Sequence, residues 1–407
     1  MNEQTLNHRQ LYRLPYSLPD NGISWLEPTS MCNLSCDGCY RENVKNAHKT
    51  LEEVKHELDV FQKKRNADCI SIAGGDPLLH PQILDIVADI KSRGLKPVIN
   101  TNGVALNVAL VKKLKQAGVY GFTFHVDSKQ GRAGQLRGKT ELELNELRYQ
   151  YARMLANEGG LACSFNSTIY EDTIQHVPAL VKWAADNIDI VQTMVFICFR
   201  HVVPVMPFDW YAGGRQVDWQ SISYHSDTAR KVDILSTDVL HKVREVFPDF
   251  TPAAYLNGTE KVDSFKWLTT VRLGTKKKIY GYAGPKFIEL IMAAHHFIKG
   301  TYLSYSSPKY TNKGLTTMLL LWTLDKGVRK AAATMLKNPF RIFEKTYLQS
   351  FTFIQPVDFM PDGRQSMCDG CPDVTVWNDD IVWSCRLEEL KKYGTFLRTV
   401  PKTEPKI

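Results

Sequence analysis

The stretch Cys32-Asn33-Leu34-Ser35-Cys36-Asp37-Gly38-Cys39-Tyr40 places three cysteines three and then two residues apart. One short loop can therefore direct three thiolates at a single metal centre. Soft thiolates favour zinc or an iron–sulfur cluster, and a structural zinc site takes four protein ligands. Three ligands leave one position open, as in an iron–sulfur cluster with one free iron, while an incomplete zinc site is the alternative.

The composition predicts a soluble protein of a reducing compartment. The chain has 407 residues, of which 43% are hydrophobic and 23% are charged, as in ordinary globular proteins. The N-terminus lacks the pattern of a signal peptide, and no apolar run reaches membrane-spanning length. Nine cysteines are an odd number in a chain without an export signal, so we expect a cytoplasmic protein without a disulfide framework.

The first half of the chain reads as six strand–helix units. The first helix begins at Thr50, where Glu53 completes a capping box. The predicted strands are 23–26, 69–73, 97–100, 121–126, 162–169 and 190–199, and the predicted helices that follow the first lie at 81–93, 107–116, 140–157 and 173–186. This alternation predicts parallel pairing in a partial TIM-type (β/α)6 barrel, with its chemistry at the carboxyl ends of the strands.

Polar and glycine residues recur at those strand ends. The third predicted strand is followed by Asn102, and the other positions are Gly74-Gly75-Asp76-Pro77, Asp127, Ser128 and Asn166. Each alone is also ordinary turn or capping chemistry. Two adjacent glycines let the backbone approach a ligand closely. Because the strand ends of a barrel meet at one face, these residues together predict a ligand site.

These residues resemble the radical S-adenosylmethionine (SAM) superfamily over about residues 20 to 200. The resemblance implies a [4Fe–4S] cluster on Cys32, Cys36 and Cys39, whose open iron binds SAM. It also implies that SAM contacts lie among Tyr40, Gly74, Gly75, Asp76, Pro77, Asn102, Asp127, Ser128 and Asn166. One departure is Asp76, which stands where the family carries a glutamate. We expect this carboxylate to hold the ligand rather than the fold.

The resemblance further implies reductive cleavage of SAM to methionine and a 5′-deoxyadenosyl radical, which abstracts hydrogen from a substrate. A reductant such as flavodoxin or ferredoxin would supply the electron.

A second cysteine set, Cys368, Cys371 and Cys385, has the spacing C-x2-C-x13-C. It is similar to the auxiliary clusters of the Twitch and SPASM subgroups and to the spacing in the molybdenum-cofactor enzyme MoaA. The resemblance implies a second [4Fe–4S] cluster, although not MoaA's reaction, and a zinc hairpin is the alternative. The sequence leaves open whether Cys198 is a fourth ligand. Cys69 and Cys163 read as small buried hydrophobes.

Residues 271–350 concentrate positive charge, with 14 Lys and Arg against 3 Asp and Glu in a chain of net charge +8. Apolar residues at helical spacing from 321 to 335 interleave with Lys326, Arg329 and Lys330. A solvated basic helix packed on the barrel explains this pattern, and so does contact with an anionic substrate, membrane or nucleic acid.

The sequence thus predicts four parts: an N-terminal extension (1–20), a barrel (21–235), a basic, aromatic-rich helical region (236–350) and a helical or irregular auxiliary-cluster domain (351–407). We favour an anionic, partly apolar substrate, such as a lipid or isoprenoid phosphate, with a possible peripheral membrane contact. A ribosomally made peptide is the main alternative. A non-catalytic, zinc-stabilised nucleic-acid-binding protein is an alternative of another class, although nucleic acid is the less favoured partner.

Overall fold

Strands and helices alternate through the first half of the chain, as a computed structural model that describes residues 6–402 shows. The strands are β1 (Tyr12–Arg13), β2 (Ile23–Thr29), β3 (Cys69–Gly74), β4 (Lys96–Thr101), β5 (Gly121–His125), β6 (Ala162–Ile169), β7 (Thr193–Cys198), β8 (Phe208–Ala212), β9 (Arg215–Val217), β10 (Ala254–Leu256), β11 (Trp267–Gly274), β12 (Ile279–Tyr282), β13 (Tyr347–Ile354), β14 (Asp358–Phe359), β15 (Gln365–Ser366), β16 (Val374–Trp377), β17 (Asp380–Trp383) and β18 (Arg398–Pro401). The α-helices are α1 (Leu51–Lys64), α2 (Ile83–Ser92), α3 (Val108–Ala117), α4 (Asn145–Glu158), α5 (Val177–Asp186), α6 (Ser236–Val246), α7 (Pro285–Lys299), α8 (Pro308–Thr311), α9 (Gly314–Leu321), α10 (Lys326–Leu336) and α11 (Leu387–Tyr393).

The central sheet has the order β1-β10-β11-β13-β7-β6-β5-β4-β3-β2, with β12 beside β11. Strands β2 to β7 lie in sequence and pair in parallel, which confirms the predicted partial (β/α) barrel. Beyond β7 the sheet continues with β13, a seventh parallel strand, and then with the antiparallel β11. All the loops that follow β2 to β7 therefore open at one end of the sheet.

The barrel helices form as their sequences predict. Thr50 accepts a hydrogen bond from the Glu53 amide while the Glu53 carboxylate accepts one from the Thr50 amide, so the predicted capping box starts α1. Val54, Leu58 and Phe61 of this helix are buried in the main core. Burial of this apolar face, more than helix propensity, holds α1 against the sheet.

The region predicted as helical over 236–350 also supplies strands to the sheet. It contains α6 to α10, but β10, β11, β12 and the start of β13 lie there too. Arg272 of β11 is fully buried, where its guanidinium hydrogen-bonds Gln349 and lies 4.9 Å from the centre of the Phe351 ring. Burial lowers the pKa of Arg272 to about 10. A charged residue in a central strand breaks the apolar pattern of that strand, and for this reason the sequence did not reveal β11.

The segment 301–307 covers the amino ends of the parallel strands. Ser304 Oγ donates to Asp68, just before β3, at 2.7 Å, and the Ser307 amide donates to the Tyr120 hydroxyl, just before β5, at 3.1 Å. The Gly314 amide donates to the Thr346 carbonyl at the start of β13. Helices α8 and α9 therefore lie at the end of the sheet opposite to the cysteine loop. Within residues 6–402, no helix has the length and apolar character needed to cross a membrane.

The C-terminal part closes on both ends of the sheet. Cys368 pairs with Gly258, which follows β10, while the Gly370 carbonyl accepts a hydrogen bond from Asn21, just before β2, at 3.0 Å. Arg65, buried after α1, donates to the Cys371 carbonyl at 2.8 Å. These hydrogen bonds hold the second cysteine set against the barrel. The exact division of the chain into the four predicted parts stays a prediction.

Candidate functional site

The first cysteine loop follows β2 and is closed by an amide. The Cys32 amide donates to Asn43 Oδ1 at 2.9 Å, and Asn43 Nδ2 donates to the Cys32 carbonyl at 2.9 Å. The Asp37 amide donates to the Lys129 carbonyl in the loop after β5. Asn43 was not among the predicted site residues, because an asparagine in a loop carries no distinctive signal.

A buried ion pair fastens this loop to β2. Arg41 Nε donates to Glu27 Oε2 at 2.8 Å, and the two side chains are only 9% and 4% exposed. Burial alone would lower the pKa of Arg41, but Glu27 reverses the effect and raises it. The Arg41 amide also donates to Cys39 Sγ at 3.4 Å. Glu27 interrupts an otherwise apolar strand, which is the signal from which this pair could have been predicted.

Gly74 and Gly75 bring the next loop against the cysteine loop. The Gly75 amide donates to Thr29 O and the Asp76 amide to Met31 O, both at 2.8 Å. A Cβ atom on Gly75 would lie 2.1 Å from Met31 O, and Gly74 has a φ of +102°. Both positions therefore require glycine. The close approach that the sequence predicted is made to the backbone of the cysteine loop.

Asp76 ties the loops after β3 and β4 together. Its buried carboxylate accepts hydrogen bonds from Thr101 Oγ1 at 2.8 and 3.0 Å, from the Asn102 amide at 2.9 Å and from the Leu78 amide at 3.0 Å. These donors occupy both oxygens, although burial still raises the pKa of Asp76. The next residue, Pro77, begins a short 3-10 helix. The structure therefore places the Asp76 carboxylate in the framework of the site, and its predicted contact with SAM stays a prediction.

Asn102 and Asp127 are likewise engaged within the protein. Asn102 Nδ2 donates to Asn33 Oδ1 at 2.7 Å and lies 3.7 Å from Cys32 Sγ. Asp127 Oδ2 lies 2.8 Å from His125 Nε2, and Asp127 Oδ1 accepts from the Lys129 amide at 2.9 Å. Burial works to raise the pKa of Asp127, but the contact with His125 and these amides outweigh it, so the pKa lies below its usual range.

Ser128 and Asn166 present free side chains at the ends of β5 and β6. Within residues 6–402, neither side chain makes a hydrogen bond to another protein group. Both residues are only partly buried. Among the predicted contacts, these two are therefore the polar side chains most available to a ligand.

Tyr40 lies between the two cysteine sets. Its ring centre is 6.4 Å from that of His201, a buried residue whose two ring nitrogens have no hydrogen-bond partner within residues 6–402. Burial raises the pKa of Tyr40, and the nearby Cys385 raises it further. Cys385 of the second set therefore lies near Tyr40 of the first cysteine loop.

The second set brings its three cysteines together. The hydrogen bond between Cys368 and Cys371 lowers the pKa of Cys368 and raises that of Cys371. Burial raises the pKa of Cys385 to about 12, and the nearby Cys368 is the second-largest cause of this rise. Cys198 is fully buried, and burial raises its pKa to about 12. Cys69 and Cys163 are buried in the barrel strands, as predicted.

The first cysteine set fits an iron–sulfur cluster. Cys32, Cys36 and Cys39 are free thiols outside the core, and burial raises the pKa of each, so metal binding would have to displace their protons. The amide of Arg41 and the side chain of Asn102 point donors at two of these sulfurs, as in the surroundings of thiolate-ligated clusters. Over residues 6–402, no three His, Cys, Asp or Glu side chains are grouped around a single-ion site.

The family model described as the Radical SAM superfamily matches residues 26–184, which hold the first cysteine loop and strands β3 to β6. Residues 26–184 therefore form a radical SAM domain, the domain of a superfamily of enzymes. This match favours an enzyme over the zinc-stabilised nucleic-acid-binding alternative.

Curated relatives match parts of the chain. It is 32% identical over 111 residues to a tungsten-containing aldehyde ferredoxin oxidoreductase cofactor-modifying protein of Pyrococcus furiosus, covering 25% of this chain and 30% of that protein. It is 33% identical over 108 residues to the AdoMet-dependent heme synthase of Methanosarcina barkeri, covering 26% of this chain and 30% of that protein. It is 24% identical over 237 residues to the Fe-coproporphyrin III synthase of the same organism, covering 56% of this chain and 53% of that protein. The chain thus spans between 30% and 53% of the length of these relatives.

Solved structures also resemble the chain, although weakly. Streptococcus suis SuiB bound to S-adenosylmethionine is 15% identical with a TM-score of 0.40, covering 57% of this chain and 48% of SuiB. Native anSMEcpe with bound AdoMet is 15% identical with a TM-score of 0.38, covering 56% and 59%. These low scores add nothing to the fold described above.

The contacts of Asp76 lead to a prediction that separates framework from ligand contact. Asp76→Ala leaves buried donors of Leu78, Thr101 and Asn102 unpaired, so we expect a loss of stability on the order of 2 kcal/mol together with weaker SAM binding. Ser128→Ala removes no hydrogen bond within the protein and should weaken SAM binding alone. Thermal unfolding and calorimetric titration with SAM measure the two effects. Normal unfolding of Asp76→Ala with lost SAM affinity would instead identify Asp76 as a direct ligand contact.

Proposed function

We propose that the protein cleaves SAM reductively and uses the 5′-deoxyadenosyl radical to abstract hydrogen from an anionic, partly apolar substrate, with a lipid or isoprenoid phosphate favoured. The carrying observation is the arrangement at the barrel mouth, where the first cysteine loop, the free polar side chains of Ser128 and Asn166, and a large cavity share one end of the sheet. Anaerobic incubation of the iron-loaded protein with SAM and a reductant should yield 5′-deoxyadenosine and methionine.

The chain's own residues would hold and orient the reactants. Cys32, Cys36 and Cys39 would hold a [4Fe–4S] cluster, which when bound supplies the electron that cleaves the sulfonium of SAM. Ser128 and Asn166 would contact SAM directly, and Tyr40 and Pro77 would lie against it. The loops that form the site would be positioned by a further set of residues: Gly74, Gly75, Asp76, Asn102 and Asp127. Preorganised loops of this kind reduce the cost of placing SAM against the cluster.

The cavity supports the substrate class. It has a volume of about 850 Å³ and lies where the loops after β7 and β13 meet. Its walls carry the apolar residues Val205, Met206, Phe208, Phe265, Phe359 and Met360, and its charged residues are Arg200, Arg230, Lys231, Lys261, Asp233, Asp263 and Asp358. This volume lies within the range of small-molecule sites. Apolar walls with cations at the rim suit a molecule with an apolar body and an anionic group.

Arg230 connects this cavity to the cysteine loop. Its guanidinium lies 2.8 Å from Asp37, between Cys36 and Cys39, and 5.4 Å from the centre of the Tyr170 ring. Arg230 Nε is buried and has no hydrogen-bond acceptor within residues 6–402. An unpaired buried donor is costly, so an anionic group of the substrate would satisfy it beside the radical site.

A second [4Fe–4S] cluster on Cys368, Cys371 and Cys385 is part of this proposal. Tyr40 and Arg41 lie between the two cysteine sets. Cys385 raises the pKa of Tyr40, and Arg41 lowers the pKa of Cys385. Such a cluster would lie beside the substrate cavity. We further propose a cytoplasmic location and a reductant such as flavodoxin or ferredoxin.

The two exposed cations of the cavity rim give the test of the substrate class. Lys231→Gln with Lys261→Gln should weaken binding of farnesyl diphosphate, used as an anionic apolar probe, by about tenfold to a hundredfold, because charged hydrogen bonds are lost. The matched control Lys55→Gln with Lys63→Gln removes two exposed lysines of α1 and should bind as the wild type does. Calorimetric titration measures both. If the wild type does not bind farnesyl diphosphate but binds an unmodified peptide, the peptide alternative is favoured instead.

A further inference from the structure

Large apolar side chains are exposed to solvent along α9, α10 and the short 3-10 helix Pro339–Phe343. They are Leu319, Leu320, Trp322, Leu324, Leu336, Phe340, Ile342 and Phe343, here called the apolar ridge. Phe340 and Phe343 are 80% and 86% exposed. Because α10 packs against both α9 and the 3-10 helix, these side chains share one region of the surface. Soluble proteins usually expose such residues singly, and a contiguous group marks an interaction site.

The ridge is the outer face of helices that are otherwise well packed. The inner face of α10 buries Val328, Ala331, Ala332 and Met335 in a second core. Asp325 caps the helix by accepting from the Val328 amide at 2.8 Å, and it also accepts from the Gly284 and Phe287 amides at 2.8 and 3.0 Å. These contacts hold α10 in place, so the exposed residues are presented by a fixed structure.

Positive charge surrounds the ridge. Residues 313–345 hold seven Lys and Arg (Lys313, Lys326, Arg329, Lys330, Lys337, Arg341 and Lys345) against two acidic residues, Asp325 and Glu344. Asp325 is buried at its cap, which leaves Glu344 as the acidic side chain at the surface of this stretch. Arg329 donates to the Trp322 and Thr323 carbonyls at 3.1 and 2.8 Å and so holds the turn that carries Trp322. Lys326 and Lys337 remain exposed between the apolar side chains, and Lys330, which is also exposed, lies 3.4 Å from Asp249.

We propose that the apolar ridge docks on the surface of an anionic lipid bilayer. Interleaved lysines are unfavourable in a protein–protein interface, where they would lose their hydration. At a bilayer the same pattern is favourable, because Leu, Phe and Trp enter the headgroup–acyl boundary while lysines contact lipid phosphates. The complementarity of charge therefore selects the bilayer over a second copy of the chain.

The position of the ridge defines the orientation of the bound protein. The chain enters α9 beside the start of β13, at the amino ends of the parallel strands. The cysteine loop and the substrate cavity lie at the carboxyl ends. Docking through the ridge thus leaves the barrel mouth facing water, open to SAM and a reductant. This inference goes beyond the proposed chemistry and does not depend on it.

Sedimentation with vesicles of equal parts phosphatidylcholine and phosphatidylglycerol tests the apolar part. The wild type should bind at low salt, and Leu320→Ser with Phe340→Ser and Phe343→Ser should bind at least about tenfold more weakly. The matched control Val108→Ser with Leu142→Ser and Val246→Ser changes three exposed apolar residues elsewhere and should bind as the wild type does. Thermal unfolding of each variant verifies that the fold is kept.

The charged part is tested by Lys326→Gln with Lys330→Gln and Lys337→Gln, which leaves Arg329 in its turn. Three lysines should account for about a hundredfold in binding, which high salt should also remove. The control Lys55→Gln with Lys63→Gln and Lys113→Gln should keep binding. The proposal is overturned if the wild type does not sediment at low salt, or if ridge and control variants behave alike. A wild-type dimer in light scattering that the ridge variant converts to a monomer would assign the ridge to a second copy and also overturn it.

Discussion

Replacing Cys32, Cys36 and Cys39 together with alanine is expected to abolish formation of 5′-deoxyadenosine from SAM under strong reductant. The three thiols are the donors at the barrel mouth that fit a cluster with an open iron. Chromatographic analysis of 5′-deoxyadenosine measures the loss, and iron analysis should show that iron at the second cysteine set remains.

A matched control changes cysteines that lie in the core. Cys69→Ala with Cys163→Ala removes two buried thiols from β3 and β6 and should retain SAM cleavage. If the loop variant still formed 5′-deoxyadenosine, the assignment of the catalytic cluster to this loop would be wrong.

The second large effect is expected from the buried pair that holds the cysteine loop to β2. Glu27→Gln leaves the Arg41 guanidinium buried without its counter-charge. Removal of one partner of a buried ion pair costs about 3–5 kcal/mol. We therefore expect a clearly lower unfolding temperature and poor loading of iron on Cys32, Cys36 and Cys39. Thermal unfolding and iron content per protein measure the two effects.

The double variant Glu27→Leu with Arg41→Met separates charge from packing. It removes both charges while keeping apolar volume, so much of the lost stability should return. Iron loading should recover only in part, since the hydrogen-bonded link between loop and strand is absent. Normal stability and iron content in Glu27→Gln would show that the pair does not hold the loop.

The barrel could be predicted from sequence because its signals are local. Each parallel strand is a short apolar run followed by a turn, and each helix buries a face set by its periodicity, as Val54, Leu58 and Phe61 do in α1. The capping box at Thr50 involves residues three apart. The spacing of Cys32, Cys36 and Cys39 is likewise local, so the sequence alone predicts the donors of the first site.

Contacts between distant residues could not be predicted in the same way. β13 joins β7 after more than a hundred intervening residues, and buried Arg272 hides the apolar pattern of β11. The sequence does not reveal that the backbone at Gly74 and Gly75 meets that of Thr29 and Met31. Nor does the sequence reveal that Leu78, Thr101 and Asn102 donate hydrogen bonds to the Asp76 carboxylate.

The sequence by itself therefore determined the strand–helix alternation, the two cysteine sets and the excess of positive charge in residues 271–350, because each is a property of neighbouring residues. Only the tertiary structure decided that Cys385 of the second set lies near Tyr40 of the first loop, and that the apolar ridge lies at the end of the sheet opposite to that loop. Those relations depend on how the strands pair and on which side chains burial leaves in solvent. A one-dimensional pattern does not contain them, since the free energy of burial is set by partners that are distant in the chain.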